Sequence, residues 1–321
     1  MIQIIGHNEI VINLCKTLKS NHIAFKVYSN LEIPEIGQEY SKLDSLKELK
    51  DELLKVKDKT LIISAGAPWI MDKEFLEAFE PNGILNIHGT ALPTDRGGTV
   101  VSWLIMNKKR LGNAIIHKMV SKPDAGPILL SEEFIYPVEC HYPQDYLIHY
   151  NQQQEKLVTK LCLMWAKQEI DLLKTSEQPH YLSTYWPRLK TNLNAWINWS
   201  WTGNDIELFV RAFDEPYLGA LTTWRGKQVH LKKCFFQQDA HFHPFQFGLI
   251  FRVRKTDELH YLAIAVEGGT LYCEDCNDEN GNSLMNKIKE GDRFQTKENK
   301  LFEAQKRTVK TKQGLNVQGD F

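Results

Sequence analysis

The sequence predicts an α/β protein with a doubly wound, Rossmann-like domain over residues 1–188 and a smaller, mostly β domain over residues 189–321. In the first half, short apolar runs rich in Ile alternate with amphipathic segments, which is typical of βαβ units around a parallel sheet. From about residue 185 the chain becomes rich in aromatic residues and in short β-like runs. A hydrophobic content of 42% and a charged content of 25% are ordinary for a globular protein with a substantial core.

The elements of the first domain follow one another along the chain. Apolar or alternating runs predict strands at 2–5, 24–29, 60–66, 83–88 and 113–120. Apolar residues at helical spacing predict helices at 8–20, 45–56, 74–80 and 143–173. In the second domain, the stretch 259–273 predicts a hairpin with Gly268 and Gly269 in its turn. The change in sequence pattern near residue 185 therefore supports a domain boundary at 188/189.

The bulk composition excludes several classes of protein. The formal net charge of −1 gives no general attraction to nucleic acid or to an anionic membrane. No apolar run approaches the roughly 18 residues of a transmembrane helix, and the N-terminal residues do not resemble a signal peptide. Six cysteines in a chain of 321 residues do not form a disulfide framework. We therefore expect a reduced, cytoplasmic protein.

The strand predicted at 83–88 ends in two polar side chains that share one face. Asn86 and His88 are two residues apart, so their side chains point the same way, and a loop rich in Gly and Pro follows at 89–98. In doubly wound sheets, ligands bind beyond the carboxyl ends of the strands. Asp124 lies in another loop that follows a predicted strand, and it could reach the same crevice. Each of these residues alone is more often a turn or structural residue. Together, an amide, an imidazole and a carboxylate suit attack by an amine on an acyl carbon.

A family resemblance rests on four short motifs in a fixed order. They are Asn86-x-His88, Leu92-Pro93, Arg96-Gly97 and Asp124-x-Gly126. This ordered set resembles the N10-formyltetrahydrofolate-dependent formyltransferases, which include enzymes acting on methionyl-tRNA, glycinamide ribonucleotide and nucleotide sugars. The segments 196–201 and 211–229 look like the start of the C-terminal domain of the sugar and tRNA members, so the resemblance covers most of the chain.

The resemblance implies N10-formyltetrahydrofolate as formyl donor and a role for each polar group of the motifs. Asn86 and His88 would stabilise the tetrahedral oxyanion, while Asp124 would tune His88 and accept the proton of the amine, directly or through water. The donor-binding residues that it implies are Gly66, Ala67, Pro68, Trp69, Ile70, Met119, Val120 and Lys122. The acceptor-binding residues that it implies are Thr90, Leu92, Pro93, Arg96 and Gly97. No metal is expected, because the lone Cys273-x-x-Cys276 pair lacks two further ligands.

Charge separates two acceptor classes. Residues 191–321 contain 17 Lys and Arg and 17 Asp and Glu, a net charge of zero, whereas a surface that grips tRNA needs excess positive charge. Charge therefore favours a small-molecule acceptor over tRNA. The stretches 185–189 and 211–220 look closest to the sugar members of the family, and this resemblance implies an amino sugar, nucleotide-linked and of the dTDP-amino-deoxy sugar type, used for surface polysaccharide such as lipopolysaccharide O-antigen. Methionyl-tRNA, another small amine and a binding protein without activity remain the alternatives. A homodimer is also expected. The aromatic residues that could stack on a base are Trp103, Tyr146, Tyr150 and Trp186, although core packing explains each of them as well.

Overall fold

The N-terminal half of the chain is built on a sheet of seven strands, counted over the residues that the structure describes. A computed structural model describes residues 1–98, 100–170, 173–311 and 314–317. The elements of this half are, in chain order, β1 (Ile2–Ile5), α1 (Glu9–Ser20), β2 (Phe25–Ser29), β3 (Tyr40–Lys42), α2 (Leu46–Leu54), β4 (Leu61–Ser64), α3 (Lys73–Glu77), β5 (Leu85–His88), β6 (Arg96–Gly97), α4 (Val100–Met106), β7 (Leu111–Lys118), β8 (Ile128–Ile135), α5 (Pro143–Ala166) and β9 (Tyr185–Trp186). Single 3₁₀ turns lie at Pro34–Glu39, Lys57–Lys59 and His180–Leu182.

The strand order is β3-β2-β1-β4-β5-β7-β8. Strands β1 to β5 run parallel, as predicted, but β7 is antiparallel to β5 and β8 is antiparallel to β7. The expected parallel, doubly wound sheet is therefore confirmed, with two antiparallel strands added at this edge. The alternation of side chains along β1 explains the double winding: Ile2 and Ile4 pack towards α1 and α5, while Ile5 packs towards α2 and α3.

Local sequence signals explain where the helices begin and end. The side chain of Asn8 accepts a hydrogen bond from Val11 N (3.1 Å) at the start of α1, and Ser45 caps α2 in the same way. Helix α5 ends at Ala166 rather than at residue 173 as predicted. Gln168, just beyond it, has a φ of +62°, a left-handed conformation that stops a helix.

The C-terminal half is an antiparallel barrel with helices packed against it. Its elements are α6 (Thr191–Asn194), α7 (Gly203–Ala212), β10 (Ala220–Trp224), β11 (Lys227–Gln237), a 3₁₀ turn (Pro244–Gln246), β12 (Ile250–Lys255), β13 (His260–Val266), β14 (Gly269–Asn277), β15 (Phe294–Gln295), α8 (Glu298–Ala304), β16 (Thr308–Thr311) and β17 (Gly314–Val317). The strand order is β12-β13-β14-β11-β10-β15. A bridge between Leu249 and Arg293 joins the two edge strands and closes the sheet. The predicted hairpin is confirmed as β13–β14.

The two halves share packed side chains. Leu104 and Ile105 of α4 belong to the same buried cluster as Phe209 and Phe213, from α7 and its C-terminal end. Ser102 Oγ also donates a hydrogen bond to the carbonyl of Ala212 (2.8 Å). The predicted boundary at 188/189 falls between β9 and α6 and stays a prediction. Within the described ranges, no helix is both long enough and apolar enough to cross a membrane.

Candidate active site

Asn86 and His88 lie at the carboxyl end of β5, where the sheet changes from parallel to antiparallel. Asn86 is directly opposite His117 in the register between β5 and β7, and its Nδ2 lies 3.2 Å from His117 Nε2. His88 is 9% exposed, so most of its ring is out of solvent. On the opposite side of the strand end, the buried Gln154 of α5 donates a hydrogen bond to the carbonyl of His88 (2.9 Å). The end of β5 is therefore fixed from two directions.

Thr90 sets the orientation of the His88 ring. The hydroxyl of Thr90 donates its hydrogen to the carbonyl of Asp95 (2.7 Å), so Thr90 Oγ1 is left as an acceptor for His88 Nε2 at 2.8 Å. This hydrogen-bond pattern assigns the hydrogen of the neutral imidazole to Nε2. The lone pair is then on Nδ1, which faces the carboxylate of Asp124.

Asp124 completes the group. Its Oδ1 lies 3.6 Å from His88 Nδ1 and 3.9 Å from His117 Nε2, and its Oδ2 accepts a hydrogen bond from the backbone N–H of Gly97 (3.2 Å). Asp124 has a φ of +54°, a conformation that few residues other than Gly adopt and that Asp tolerates better than most. The loop that carries it leaves β7 beside the start of β5, because the two strands are antiparallel, and it folds back to reach His88. Thus the three predicted residues meet, with β7 antiparallel to β5.

His117 is a member of this group that the sequence analysis missed. Burial, and next the positive charge of His88 when it is protonated, lower the pKa of His117 to about 4. Its Nδ1 lies 3.0 Å from the carbonyl of Lys118, which can only accept, so Nδ1 carries the hydrogen and Nε2 accepts from Asn86. The signal that could have found it is a single imidazole inside the apolar run 113–120.

Arg96 lies inside the protein rather than at an open surface. It is 4% exposed, and its Nη2 donates to Gln178 Oε1 (2.5 Å) and lies 2.9 Å from His180 Nδ1. Its Nε and Nη1 are buried, with no hydrogen-bond partner among the described residues. A guanidinium buried to this degree reaches an acceptor only if the covering segment moves, so the predicted acceptor contact stays a prediction.

Gln178 is a second residue that the sequence analysis missed. Its Nε2 donates to the carbonyls of Asp124 (2.9 Å) and Gly126 (2.7 Å), and its Oε1 accepts from Arg96. The amide oxygen and both amide N–H groups of Gln178 thus have partners. Both N–H groups bind the loop that carries the carboxylate of Asp124. Nothing in the local sequence around Gln178 signals this contact, because it joins segments 52 and 54 residues apart.

Two of the remaining predicted acceptor residues contact the candidate catalytic groups in this structure. Thr90, 2% exposed, orients His88, and the backbone of Gly97 binds Asp124. Pro93 is buried, and Leu92 is half-buried beside it. The structure therefore gives Thr90 and Gly97 positioning contacts, and contact with an acceptor stays a prediction for all five residues.

The two predicted donor segments lie at the borders of the site. The first, Gly66 to Ile70, directly follows β4 by way of Ala65; Gly66 is exposed with a φ of +71°. In the second, Met119 is half-buried, with its N–H bonded to the carbonyl of Ile84 (2.7 Å). Val120 and Lys122 are exposed and border a cavity of about 540 Å³. Contact with the donor stays a prediction for all eight residues.

The geometry fits acyl transfer to a nucleophile. An amide N–H donor, an imidazole whose Nδ1 faces a carboxylate, and that carboxylate meet at one strand end, and the described residues contain no group of three or more His, Cys, Asp or Glu that could hold a metal. Such a set can stabilise a developing oxyanion and move a proton.

Known proteins show the same two-part organisation. The family model described as "Formyl transferase" matches residues 5–156, and the model described as "Formyl transferase, C-terminal domain" matches residues 190–286. A methionyl-tRNA formyltransferase from Acetivibrio thermocellus is 26% identical over 243 residues, which cover 72% of this chain and 70% of that protein.

Two solved structures share the fold. An N-formyltransferase from Helicobacter canadensis, in complex with folinic acid and dTDP-3-aminofucose, has a TM-score of 0.61 at 19% identity and covers 85% of this chain and 98% of its own. A variant of HypX from Aquifex aeolicus has a TM-score of 0.60 at 17% identity and covers 88% of this chain and 46% of its own. Because the two family models match consecutive parts of the chain, this protein is a formyl-transferring enzyme that belongs to the formyltransferase family, whose members use N10-formyltetrahydrofolate as the donor.

Proposed function

We propose that this enzyme transfers the formyl group of N10-formyltetrahydrofolate to the amine of an amino sugar carried on a nucleotide. The observation that supports it most is the convergence of Asn86, His88 and Asp124, with His88 Nδ1 3.6 Å from the carboxylate. The donor is consumed in each turnover, and the residues that would hold it are those of the segments 66–70 and 119–122.

Each group has a role that follows from its contacts. Asn86 gives one N–H of its amide to His117, which orients the amide so that its other N–H can donate to the formyl oxygen. His88, held through Nε2, presents Nδ1 to the reacting atoms. A protonated Nδ1 can donate to the oxygen as negative charge develops there, and the nearby carboxylate of Asp124 can receive the proton of the amine. Preorganised donors of this kind typically contribute on the order of 10²–10³ in rate each.

Two considerations favour a sugar over tRNA as the acceptor. The zero net charge of residues 191–321 is a poor match for a polyanion. The Helicobacter enzyme with the same fold binds dTDP-3-aminofucose. The methionyl-tRNA formyltransferase that is 26% identical supports the second candidate. Use of the product in surface polysaccharide such as O-antigen, a cytoplasmic location and a homodimer belong to the same proposal.

The test is a formylation assay with matched variants. Purified enzyme is mixed with N10-formyltetrahydrofolate and with dTDP-, UDP- or GDP-linked amino sugars, and separately with initiator methionyl-tRNA. Release of tetrahydrofolate and a gain of one formyl mass are followed. We expect one amino sugar to be formylated, with the rate reduced on the order of 10²–10³ in His88→Ala and unchanged in His241→Ala, which removes an exposed imidazole of the C-terminal half.

The assay separates the candidates. Product on tRNA alone would show that a basic face forms in spite of the neutral composition. If none of the substrates causes release of tetrahydrofolate while folinic acid still binds, the proposal is contradicted. A full rate in His88→Ala would remove His88 from the chemistry.

A further inference from the structure

We propose that Arg96 and His180 form a binding site for a small oxyanion, a carboxylate or a phosphate, and that this site opens when His180 takes up a proton. The inference goes beyond the proposed function, because it holds for any acceptor of the formyl group. It starts from three features that meet at His180: a buried cation, an exposed turn that covers the cation, and a cavity that the turn borders.

Arg96 is a buried cation whose hydrogen bonding is incomplete. It is 4% exposed, and the hydrogen bonds of its guanidinium to Gln178 Oε1 (2.5 Å) and to His180 Nδ1 (2.9 Å) both run through Nη2. Neither of these partners is an anion. Nε and Nη1 are buried without a partner in the described part of the chain. Because a buried charge is costly unless it is paired and hydrogen-bonded, this guanidinium has unused capacity for an anion.

The contact with Arg96 fixes the protonation state of His180. A guanidinium has donors but no acceptor, so His180 Nδ1 supplies the lone pair and the ring hydrogen lies on Nε2. When the ring is protonated, both of its nitrogens carry a hydrogen. The hydrogen bond is then lost, and two positive groups face each other at 2.9 Å. The contact therefore exists only while His180 is neutral, and protonation drives the ring away from the guanidinium.

His180 lies in a turn that can shift while the segment around it stays in place. The 3₁₀ turn His180–Leu182 is exposed along its whole length. Before the turn, Ser176 pairs with Ile128 through two backbone hydrogen bonds of 2.8 Å. After the turn, the N–H of Thr184 donates to the carbonyl of Pro93 (3.2 Å). The segment is thus anchored on both sides, and a shift of the turn alone uncovers the buried guanidinium.

His180 also borders the cavity of about 540 Å³ beside the Asp124 loop, whereas Arg96 is not among its described lining residues. The other charged residues of this lining are Lys122 and Glu177, both exposed. The charged groups around His180 are therefore Arg96 on one side and this lysine and glutamate on the other. With His180 protonated, an anion that enters from the cavity meets three positive groups and one carboxylate. With His180 neutral, the ring separates the anion from Arg96.

Anion binding and protonation of His180 favour each other. The anion stabilises the protonated ring, so the affinity for the anion rises as the pH falls, and binding takes up a proton from solution. For one titrating group the affinity changes by at most about tenfold per pH unit. A site made of lysine and arginine alone would show no such dependence, since these side chains keep their charge near neutral pH.

The experiment measures binding of sulfate and of acetate to the full-length protein by calorimetry at pH 6 and pH 8, at constant ionic strength. Both probes keep an almost constant charge over this range, so a change in affinity comes from the protein. Buffers of different ionisation enthalpy give the number of protons taken up. His180→Gln cannot titrate but can still accept from Arg96, and His180→Lys stays charged. His241→Gln is the matched control, because His241 is an exposed histidine that does not border the cavity.

We expect sulfate to bind wild type and His241→Gln on the order of 10-fold more tightly at pH 6 than at pH 8, with uptake of a proton. Acetate competes with sulfate for the same site. His180→Gln binds sulfate weakly at both pH values, because the neutral amide keeps Arg96 covered. His180→Lys binds sulfate with similar affinity at both pH values, because its charge does not change.

Folinic acid distinguishes two sources of the oxyanion, since it carries the carboxylates of a glutamate tail. Displacement of sulfate by folinic acid identifies the occupant as a carboxylate of the formyl donor. Binding of sulfate to the complex with folinic acid identifies it as a free anion. Either result supports the site, because both require an anion at Arg96 and His180.

NMR of protein labelled with ¹⁵N in its histidines tests the closed state without any ligand. The signals lost in His180→Gln identify His180, and at pH 8 they should report a neutral ring with its hydrogen on Nε2. The inference is overturned if that hydrogen lies on Nδ1, if sulfate binding to wild type does not change with pH, or if His180→Gln shows the same pH dependence as wild type.

Discussion

The hydroxyl of Thr90 decides which nitrogen of His88 faces the carboxylate of Asp124. Replacing Thr90 by Val keeps the shape but removes the acceptor for His88 Nε2, which then has only the carbonyl of Asp95 at 3.2 Å. An unmet hydrogen bond of a buried polar group costs about 1–3 kcal/mol, which corresponds to roughly 10–100-fold in rate when it misplaces a catalytic ring. We expect Thr90→Val to lower kcat by this factor without raising either KM, measured as release of tetrahydrofolate.

Thr90→Ser is the control for this prediction, because it keeps the hydroxyl and loses a methyl group. It should retain most of the rate. A Thr90→Val enzyme with the kcat of wild type would show that the Asp95 carbonyl alone orients the imidazole.

His117 gives the protein a pH-dependent stability. Its pKa is about 4 in the folded state, because it is buried, and about 6.5 in the unfolded state. Between these values the unfolded chain binds a proton that the folded chain does not, so stability is greatest above pH 6.5 and falls as the pH falls towards 4. The loss is on the order of 3 kcal/mol over that range. Urea unfolding at pH 7.5 and at pH 5 should show this slope in wild type.

His117→Gln isolates that contribution, since glutamine does not titrate and can still accept from Asn86. The variant should lose less stability than wild type between pH 7.5 and pH 5. Equal losses in the two proteins would assign the slope to other groups.

At the scale of elements, the direction of β7 is what brings His117 to Asn86. The sequence shows that 113–120 is a strand, since the run is apolar and of strand length. It does not show the direction, because antiparallel and parallel buried strands have the same apolar pattern. The polar pair Asn86 and His88 could be found because same-face spacing is local. His117 and Gln178 depend on contacts between distant segments, so no local pattern identifies them.

The segment between α5 and β9 holds the Asp124 loop through Gln178. Gln178→Met removes both N–H donors to the carbonyls of Asp124 and Gly126, and Gln178→Glu removes the same donors while it keeps an acceptor for Arg96. If the loop contacts matter, both variants lose activity. We expect kcat to fall by roughly 10-fold or more, as the loss of hydrogen bonds worth about 1–1.5 kcal/mol each implies, with the KM for both substrates unchanged.

Gln152→Met, at an exposed position of α5, is the matched control and should keep the rate of wild type. A Gln178→Glu enzyme with full activity would show that Gln178 acts through its hydrogen bond to Arg96 and not through its hydrogen bonds to the Asp124 loop. Equal rises in KM and falls in kcat, with a lowered Tm, would indicate a structural role only.

At the scale of the whole molecule, the loop after β5 (residues 89–98) is hydrogen-bonded to the segment that connects the two halves of the chain. The loop after β5 pairs with β9, where Arg96 N donates to the carbonyl of Thr184 (3.3 Å) and Gly98 N to that of Trp186 (3.1 Å). The same connection continues into Arg188 and the shared hydrophobic cluster. The C-terminal half therefore helps to hold the loop after β5 in place.

The shared cluster predicts that the two halves unfold together. Leu104, 3% exposed, lies in α4 and packs in the cluster that includes the core of the barrel. Calorimetry of wild type should therefore show one transition, and folinic acid, which we propose to bind to the N-terminal half, should raise the temperature of all of it.

Leu104→Ala tests the coupling at its centre. It leaves a cavity at the junction that costs about 2–5 kcal/mol, and we expect it to split the transition in two, with folinic acid raising only one part. Leu49→Ala removes an equally buried side chain from the cluster around α2, away from the junction. It should lower the single transition without splitting it, because the contact between the halves is intact. Two transitions in wild type would mean that the halves fold independently. The loop after β5 would then be held in place by its pairing with β9 alone.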